Sequence, residues 1–441
     1  MTLIAHIHHL LLDRCTRAEG DEERSQTQRQ RYIDGVQRVL TSSRLAPRTP
    51  QSVWTAGWDK PFFAYNSAAK VGPAVDLARR AGVFDDPAAV ASADFLCDGE
   101  PGPLARARIA CGDLTGACTV NYRLQRVQAF AKAVPRITET VNRFHDDWVA
   151  GTFDPYDLQA RAVAIAEDIG IGGGPIGKVP GFGFTTACHL LADLGLPLFK
   201  PDIWICRIVS LMPGVETEVR RTWRLGAGPV PFDFLESKLV GSGAPDAYRR
   251  IVQPVMNALT MEAQKAPVPE FDLTRGFLCE RFVDWTLVHF GITAEAEVFG
   301  LERRPVDLLC GPLGDSTTPA HIHALARCLR DGQASHAAVT ALAKAEDKLS
   351  TAVTPEQKKR AERRLGCLLT SDAQAERDAK LVRAEEASTA YGNAVVASRW
   401  QVSARYPVGF ARRAGNSKRW KYIFAARTAR TARTARITDA A

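Results

Sequence analysis

Along most of the chain, apolar residues recur at intervals of three and four, with polar residues between them. This is the period of one buried face of an α-helix, whereas strand residues alternate every second position. Long alternating stretches are rare, so the pattern predicts a mainly α fold. The predicted helices cover residues 27–44, 119–133, 135–150, 155–169, 184–195, 202–212, 245–262 and 275–291. The aromatic-rich stretch from Trp54 to Tyr65 lacks this period and is predicted to be a loop.

Changes in composition divide the 441 residues into four predicted regions. An N-terminal helical region is expected over residues 1–100 and a helical core over residues 101–317. Residues 318–400 are rich in Ala, Glu, Lys and Arg, which predicts solvated helices with internal charge pairs. Residues 401–441 end in repeated Ala-Arg-Thr triplets, and this tail is predicted to be partly disordered.

The positive charge of the chain is concentrated in this tail. Residues 401–441 contain ten Lys or Arg and one acid, whereas the whole chain has a net charge of +8. Cations interleaved with aromatic residues suit contact with phosphates and stacking on bases. The tail is therefore predicted to add phosphate contacts to a nucleic-acid partner.

The cysteines and the lengths of the apolar runs indicate where in the cell the protein is expected. No apolar run reaches the roughly 18–20 residues that span a bilayer, and the N-terminus lacks the features of a secretory signal. The ten cysteines include no Cys-x-x-Cys pair, so free thiols in a cytoplasmic protein are expected, nucleoid-associated if the source is bacterial. His6, His8 and His9 are interpreted as a helix surface, and neither a metal nor another cofactor is predicted.

A glycine-rich stretch at residues 170–189, GIGGGPIGKVPGFGFTTACH, fits two phosphate-binding patterns. Gly172 to Lys178 has the spacing of a nucleotide P-loop, which would suggest a nucleotide-driven enzyme. A P-loop needs a preceding strand and a Ser or Thr directly after the lysine. Here Val179 follows, and the preceding residues have helical periodicity. The P-loop spacing is therefore interpreted as coincidence.

The second pattern is the hairpin of a helix-hairpin-helix. Glycines permit backbone conformations closed to other residues, and a turn before a helix presents N–H groups to an anion such as a DNA phosphate. The alternative is a simple turn between two packed helices. The predicted hairpin residues are Lys178, Pro180, Gly181, Phe182, Gly183, Thr185 and Thr186, with Phe182 directed into the core.

The residues after the hairpin give it a context. A helix is followed by Gly195, Pro197 and the segment KPDIWICRIVSLM from residue 200. This order, over roughly residues 178–209, resembles the helix-hairpin-helix (HhH-GPD type) base-excision DNA glycosylases. The resemblance implies a glycosylase-like helical core, and it places Asp202 at the catalytic aspartate. Arg207 fits the arginine on the following helix.

Two departures from the family pattern affect the expected chemistry. The lysine that gives bifunctional members their strand-cutting activity is replaced by Thr185, which cannot form a Schiff base. The resemblance therefore implies a monofunctional enzyme. Trp204 stands where members often have a histidine. The identity of the excised base therefore stays open.

Within this resemblance, the carboxylate of Asp202 would stabilise the positive charge that develops on the sugar and orient the attacking water. Asp202 is equally suited to cap the following helix, and the two roles are compatible. Lys200 and Arg207 are candidate phosphate contacts. The candidate pocket residues are His189, Trp204, Asp284, Trp285 and His289.

The leading functional hypothesis is a DNA glycosylase that releases a damaged or modified flipped-out base and leaves an abasic site. The additional terminal regions suggest a specialised use, such as defence against modified phage DNA. The alternative is a non-catalytic helix-hairpin-helix protein that binds or organises DNA. The wedge that would fill the gap left by the base is sought in the stretch from Trp54 to Tyr65.

Overall fold

A computed structural model gives the architecture of the chain, which is mainly helical. It describes residues 2–16, 20–63, 68–92, 95, 121–152, 155–226, 230–231, 233–265, 268–292 and 320–398, with two short strands beyond them. The predicted boundary near residue 100 lies outside the described residues. Across the described ranges, no helix has both the length and the apolar character needed to cross a bilayer.

Six helices lie among the described residues before residue 92. They are α1 (Leu3–Thr16), α2 (Glu22–Ser42), α3 (Pro50–Gly57), α4 (Lys60–Phe63), α5 (Ala68–Arg80) and α6 (Pro87–Ala91). The prediction of a loop between residues 54 and 65 is wrong for the described part of that stretch, which contains α3 and α4. These helices have 8 and 4 residues, too few to show a period. Tertiary packing stabilises them, since Trp54 and Phe62 are buried.

The centre of the fold begins with three helices, α7 (Asn121–Val149), α8 (Pro155–Gly170) and α9 (Phe184–Asp193). The sequence predicts two helices where α7 is one, because Pro135 cannot donate the usual hydrogen bond. Phe130 and Val134 before it and Ile137 after it are all buried, so packing on both sides offsets the lost bond. The α8 and α9 helices pack against each other and are joined by the glycine-rich loop.

A further group of helices follows the hairpin. It consists of α10 (Ile203–Leu211), α11 (Val215–Trp223), α12 (Phe234–Lys238), α13 (Ala244–Ala247), α14 (Gln253–Lys265) and α15 (Leu278–Ile292). A 3₁₀ turn at Gly241–Gly243 precedes α13, and a π-helical turn at Tyr248–Val252 joins α13 to α14 without a break. Such single π turns insert one residue into a helix and redirect the side chains around it.

The C-terminal part consists of α16 (Ala320–Ser350), α17 (Pro355–Leu368) and α18 (Ser371–Ser398). The first turns of α16 enter the core through Ile322, Leu325 and Leu329, while α17 and α18 are largely exposed. Tyr391 of α18 donates a hydrogen bond to the carbonyl of Leu211, the last residue of α10, at 2.9 Å. This bond attaches α18 to the end of α10.

One hydrophobic cluster runs through the described chain from α1 to α18. The N-terminal helices share this core rather than forming a separate one. In the basic tail, β1 (Arg412–Arg413) pairs with β2 (Trp420–Lys421) in antiparallel register. The predicted disorder of the rest of the tail concerns residues outside the described ranges.

Candidate active site

The glycine-rich loop is organised by a carboxylate of the chain itself. Asp168, near the end of α8, is buried and accepts hydrogen bonds from the amides of Gly174, Ile176 and Gly177 at 2.7, 2.8 and 3.1 Å. A methyl group on Gly174 would approach this carboxylate to 2.6 Å, so glycine is required there. These three N–H groups are therefore engaged internally and not directed at a nucleotide phosphate. The helix α8 occupies the place of the strand that a P-loop needs.

The tip of the hairpin is fixed by its aromatic residue. Phe182 is buried and its ring stacks on Phe130 with centroids 4.8 Å apart, as the sequence predicted. Gly181 has a φ of +89°, which strains any residue with a side chain, and an added Cβ would lie 2.7 Å from the Cβ of Arg126. The hairpin is thus held in one conformation by packing and by backbone geometry.

This conformation exposes the start of α9. Gly183 is the N-cap residue and no side chain caps the helix. Lys178, Pro180 and Gly183 are exposed, whereas Thr185 and Thr186 are half-buried. An uncapped helix N-terminus favours an anion electrostatically. The exposed rim of the hairpin can therefore approach a phosphate backbone, while its inner face packs in the core.

Asp202 caps α10. Its Oδ1 atom accepts hydrogen bonds from the amides of Trp204 and Ile205, both at 3.0 Å. Its Oδ2 atom lies 3.6 Å from Nζ of Lys200, and the side chain retains 15% exposure. One oxygen therefore fixes the orientation of the carboxylate, and the other has no amide donor among the described residues.

The loop before Asp202 is held by two residues from distant helices. The hydroxyl of Tyr248, in the π-helical turn, accepts a hydrogen bond from the amide of Phe199 at 3.0 Å. Oδ1 of Asp284 on α15 accepts one from the amide of Lys200 at 2.8 Å. Both acceptors are buried. Consecutive amides are thus fixed immediately before the carboxylate, which preorganises it.

A polar network connects this loop to α9. Arg281 donates from Nη1 to Oδ2 of Asp284 at 3.1 Å and from Nη2 to Oδ1 of Asp193 at 2.6 Å. Asp193 also accepts from Nζ of Lys60 at 2.7 Å, and Nε2 of His189 lies 3.3 Å from the same Oδ2 atom. The two aspartates are thereby linked through one guanidinium. The network joins α4, α9 and α15 around the Asp202 loop.

The carboxylates of this network differ in their affinity for protons. Burial raises the pKa of Asp284 to about 7, although Arg281 opposes the shift. Burial also disfavours the charge of Asp193, but His189, Lys60 and Arg281 outweigh it and hold its pKa well below the usual range. Burial lowers the pKa of His189 far enough to leave it neutral at pH 7. At that pH the charge of Asp193 is therefore stabilised by Lys60 and Arg281.

A cleft of about 1020 Å³ opens beside this network, between the N-terminal helices and α9. Many of its lining residues carry a hydroxyl or a charge, although apolar atoms form the larger part of the exposed wall. It is lined by Ser42, Arg48, Thr49, Gln51, Ser52, Thr55, Ala56, Asp59, Lys60, Phe63, Thr185, Thr186, His189, Asp193, Leu194 and Lys200. Four predicted site residues meet here: the two hairpin threonines, His189 and Lys200. Lys200 lines the cleft and its ammonium lies 3.6 Å from Oδ2 of Asp202, which is not itself a lining residue.

Other predicted pocket residues lie away from the cleft walls. Trp285 is buried and packs on Tyr32 and on His289, with ring centroids 5.4 and 4.1 Å away. Trp204 is half-buried, and the guanidinium of Arg207 lies over its ring at 5.3 Å. Asp284 contacts the loop before Asp202, where it accepts the hydrogen bond of the Lys200 amide. These side chains support the core in this conformation, and no described contact brings their side chains into the cleft.

Two further expectations require correction. Arg207 is buried and its Nη2 atom lies 3.2 Å from Oε2 of Glu236, so its guanidinium does not face a phosphate backbone. Trp54 is unsuited as a wedge because it is buried and its indole N–H donates to the carbonyl of Phe84 at 2.6 Å. Phe63 lines the cleft and remains a candidate wedge.

Sequence reasoning missed several site residues. Asp168, Lys60, Asp193 and Arg281 are all central to the geometry. Two signals could have found part of the network, since Asp193 follows His189 by one helical turn and Arg281 precedes Asp284 by three residues. No sequence pattern near Lys60 indicates that it pairs with Asp193.

No protein family, no curated protein and no solved structure matches this chain.

Proposed function

We propose that the protein is a monofunctional DNA glycosylase that hydrolyses the N-glycosidic bond of a damaged or modified base. The observation that carries the proposal is the position of Asp202. One oxygen is anchored to α10, and the other lies 3.6 Å from the ammonium of Lys200, a residue that lines the cleft. The same cleft is bordered by the helix that follows the hairpin. A fixed carboxylate next to a hairpin and a cleft is the arrangement that this reaction needs.

DNA would contact the exposed rim of the hairpin through its phosphates. Lys178 contributes a positive charge there, and the uncapped start of α9 contributes N–H groups. Neither feature distinguishes one base from another. Recognition of the target would therefore depend on the cleft, after the nucleotide has been extruded from the duplex at a cost of a few kcal/mol.

The cleft has room for a flipped nucleotide. Its volume of about 1020 Å³ lies at the upper end of the range typical of small-molecule sites. Thr185, Thr186 and His189 line one wall and Thr49, Ser52 and Thr55 the other, so a base could be held by hydrogen bonds. Phe63 is the aromatic side chain of the described lining and offers one stacking face.

In the chemical step, the electron pair of the N-glycosidic bond leaves with the base, and positive charge develops on the sugar. Oδ2 of Asp202 would stabilise this charge and accept a proton from the water that attacks the anomeric carbon. The departing base takes up a proton from solvent, and Asp202 returns its proton to solvent. The products are the free base and an abasic site. Thr185 cannot form a Schiff base, so the strand stays uncut.

The test is mass spectrometry of free bases released from a panel of alkylated, oxidised, mispaired and naturally hypermodified phage DNAs. Asp202→Asn keeps an N-cap acceptor, so we expect it to fold and bind DNA while base release falls on the order of 10²–10³-fold. The matched control is Asp86→Asn, the same change at the N-cap of α6. It should release the base at the wild-type rate.

Two results would contradict the proposal. Undiminished release by Asp202→Asn would remove Asp202 from the mechanism. Absence of release from every DNA, with equal DNA binding by the wild type and both variants, would favour the non-catalytic DNA-binding alternative.

A further inference from the structure

A second cluster of chemically capable side chains lies away from the cleft, where α1 meets the segment between α14 and α15. His8 and His9 of α1 each offer a ring nitrogen, and Glu270 offers a carboxylate oxygen. These three atoms lie within 4.8 Å of one another. Two imidazoles and one carboxylate are a donor set that binds Zn²⁺ and similar divalent metals.

The burial of His8 gives this cluster its significance. His8 is 0% exposed, and its Nε2 atom is buried without a hydrogen-bond partner. Oε2 of Glu270 is also buried without a partner, and it lies 3.9 Å from that nitrogen, too far for a hydrogen bond. Buried polar atoms are normally satisfied, so two that face each other across this gap indicate a missing third group.

The other ring nitrogen of His8 is already oriented. Nδ1 lies 3.3 Å from the hydroxyl of Tyr32, so the tautomer with the proton on Nδ1 can donate to that oxygen and leave Nε2 with its lone pair outward. The ring is further fixed against Phe271 and Phe282, with centroids 5.6 and 5.3 Å away. A metal-binding histidine is commonly held in this way through its second nitrogen.

The two oxygens of the Glu270 carboxylate face different neighbours. Arg29 lies 3.7 Å from Oε1 of Glu270, which leaves Oε2 directed at His8. The three donor atoms, which lie within 4.8 Å of one another, need only small side-chain rotations to reach the roughly 2 Å metal–ligand distances of a zinc site.

We propose that His8, His9 and Glu270 bind one divalent transition-metal ion, with Zn²⁺ the best match to their donor atoms. The ion would fasten α1 to the segment that leads into α15. Because α15 carries Arg281 and Asp284, the ion would stabilise the helix that holds the Asp202 loop. The proposal does not depend on the function proposed above.

The test uses the full chain after removal of metals by a chelator. Co²⁺ is titrated while visible d–d absorption is recorded, Zn²⁺ affinity is obtained by competition, and the melting temperature is measured with and without Zn²⁺. We expect one equivalent of Co²⁺ to produce the absorption and Zn²⁺ to raise the melting temperature.

Two variants and one control separate this site from adventitious binding. His9→Ala and Glu270→Gln change half-buried side chains, and each should weaken Zn²⁺ at least tenfold, on the order of a lost metal contact, and abolish the thermal shift. His6→Ala changes a histidine on the same helix but outside the cluster, and it should retain both the Zn²⁺ affinity and the thermal shift. The fully buried His8 is left unchanged, since its loss would disrupt packing.

Three outcomes would overturn the proposal. The first is the absence of Co²⁺ absorption in the wild type. The second is equal affinity in Glu270→Gln and the wild type, which would assign binding to surface histidines alone. The third is a loss of Zn²⁺ affinity in His6→Ala as large as the loss in His9→Ala. None of these readouts involves release of a base, so a failure here is distinguishable from a failure of the proposed glycosylase.

Discussion

Two connections flank α9, and they are built in different ways. The glycine loop before it is organised by Asp168, six to nine residues from the amides that it binds, and by the Phe182 side chain within the loop. The loop after it, which ends at Asp202, is held by Tyr248 and Asp284, 49 and 84 residues further along the chain. The hydrogen bonds that organise the first loop are local, although its tip also packs on α7, whereas the hydrogen bonds that hold the second loop come from distant helices.

In the proposed glycosylase, this difference would give the two loops different tasks. A hairpin organised mainly by its own preceding helix, with its tip packed on α7, would suit a surface that contacts a repetitive phosphate backbone. A loop fixed by distant helices is sensitive to their arrangement. That property suits a carboxylate whose position must be accurate to a fraction of an ångström.

The largest expected effect comes from breaking the local loop. Asp168→Ala removes a buried carboxylate that accepts three amide hydrogen bonds, so three N–H groups, of which that of Ile176 is buried, lose their partner. We expect the free energy of unfolding to fall by about 3–5 kcal/mol and DNA affinity to fall with it. Chemical denaturation and fluorescence anisotropy measure the two. The control Asp146→Ala changes an exposed carboxylate and should lie within about 0.5 kcal/mol of wild type.

A smaller effect, which depends on pH, sharpens the description of the second loop. The pKa of Asp284 is near 3.8 when unfolded and about 7 when folded, so between these values the folded state binds the extra proton. Wild-type stability relative to Asp284→Asn should therefore fall as the pH rises from 4 to 7, by an amount on the order of 2–4 kcal/mol, and then level off. Urea denaturation of both proteins across this range measures the difference. A difference independent of pH would mean that Asp284 titrates normally.

The smallest effect distinguishes two glycines of the hairpin. Gly181→Ala forces a side chain into positive φ and against Arg126, and we expect it to lose about 1–2 kcal/mol of stability. Gly183 has a φ of −90° and open space where a Cβ would lie, so Gly183→Ala should leave the stability almost unchanged. Thermal denaturation of the pair provides the comparison. Equal losses in both variants would show that conformation at Gly181 is not what fixes the hairpin.

The same contrast explains what the sequence could and could not predict. Long amphipathic helices, the burial of Phe182 and the capping role of Asp202 follow from local spacing and propensity, and the structure agrees with them. The Asp193–Arg281–Asp284 network depends on which helices meet, and periodicity carries no information about that. The short helices α3 and α4 were missed for the same reason, because they form only against the core.

The hydrogen bond between Arg281 and Ser43 joins residues 238 positions apart, and Lys60 and Asp193 are separated by 133. During synthesis, the hairpin can close as soon as α9 has been made, whereas Asp193 receives its second cation only after α15 has been translated. Because contacts of such long range form slowly, the network beside the cleft is completed after the hairpin. A chain released before residue 281 would retain the hairpin while the Asp202 loop was still without Asp284, one of its anchors.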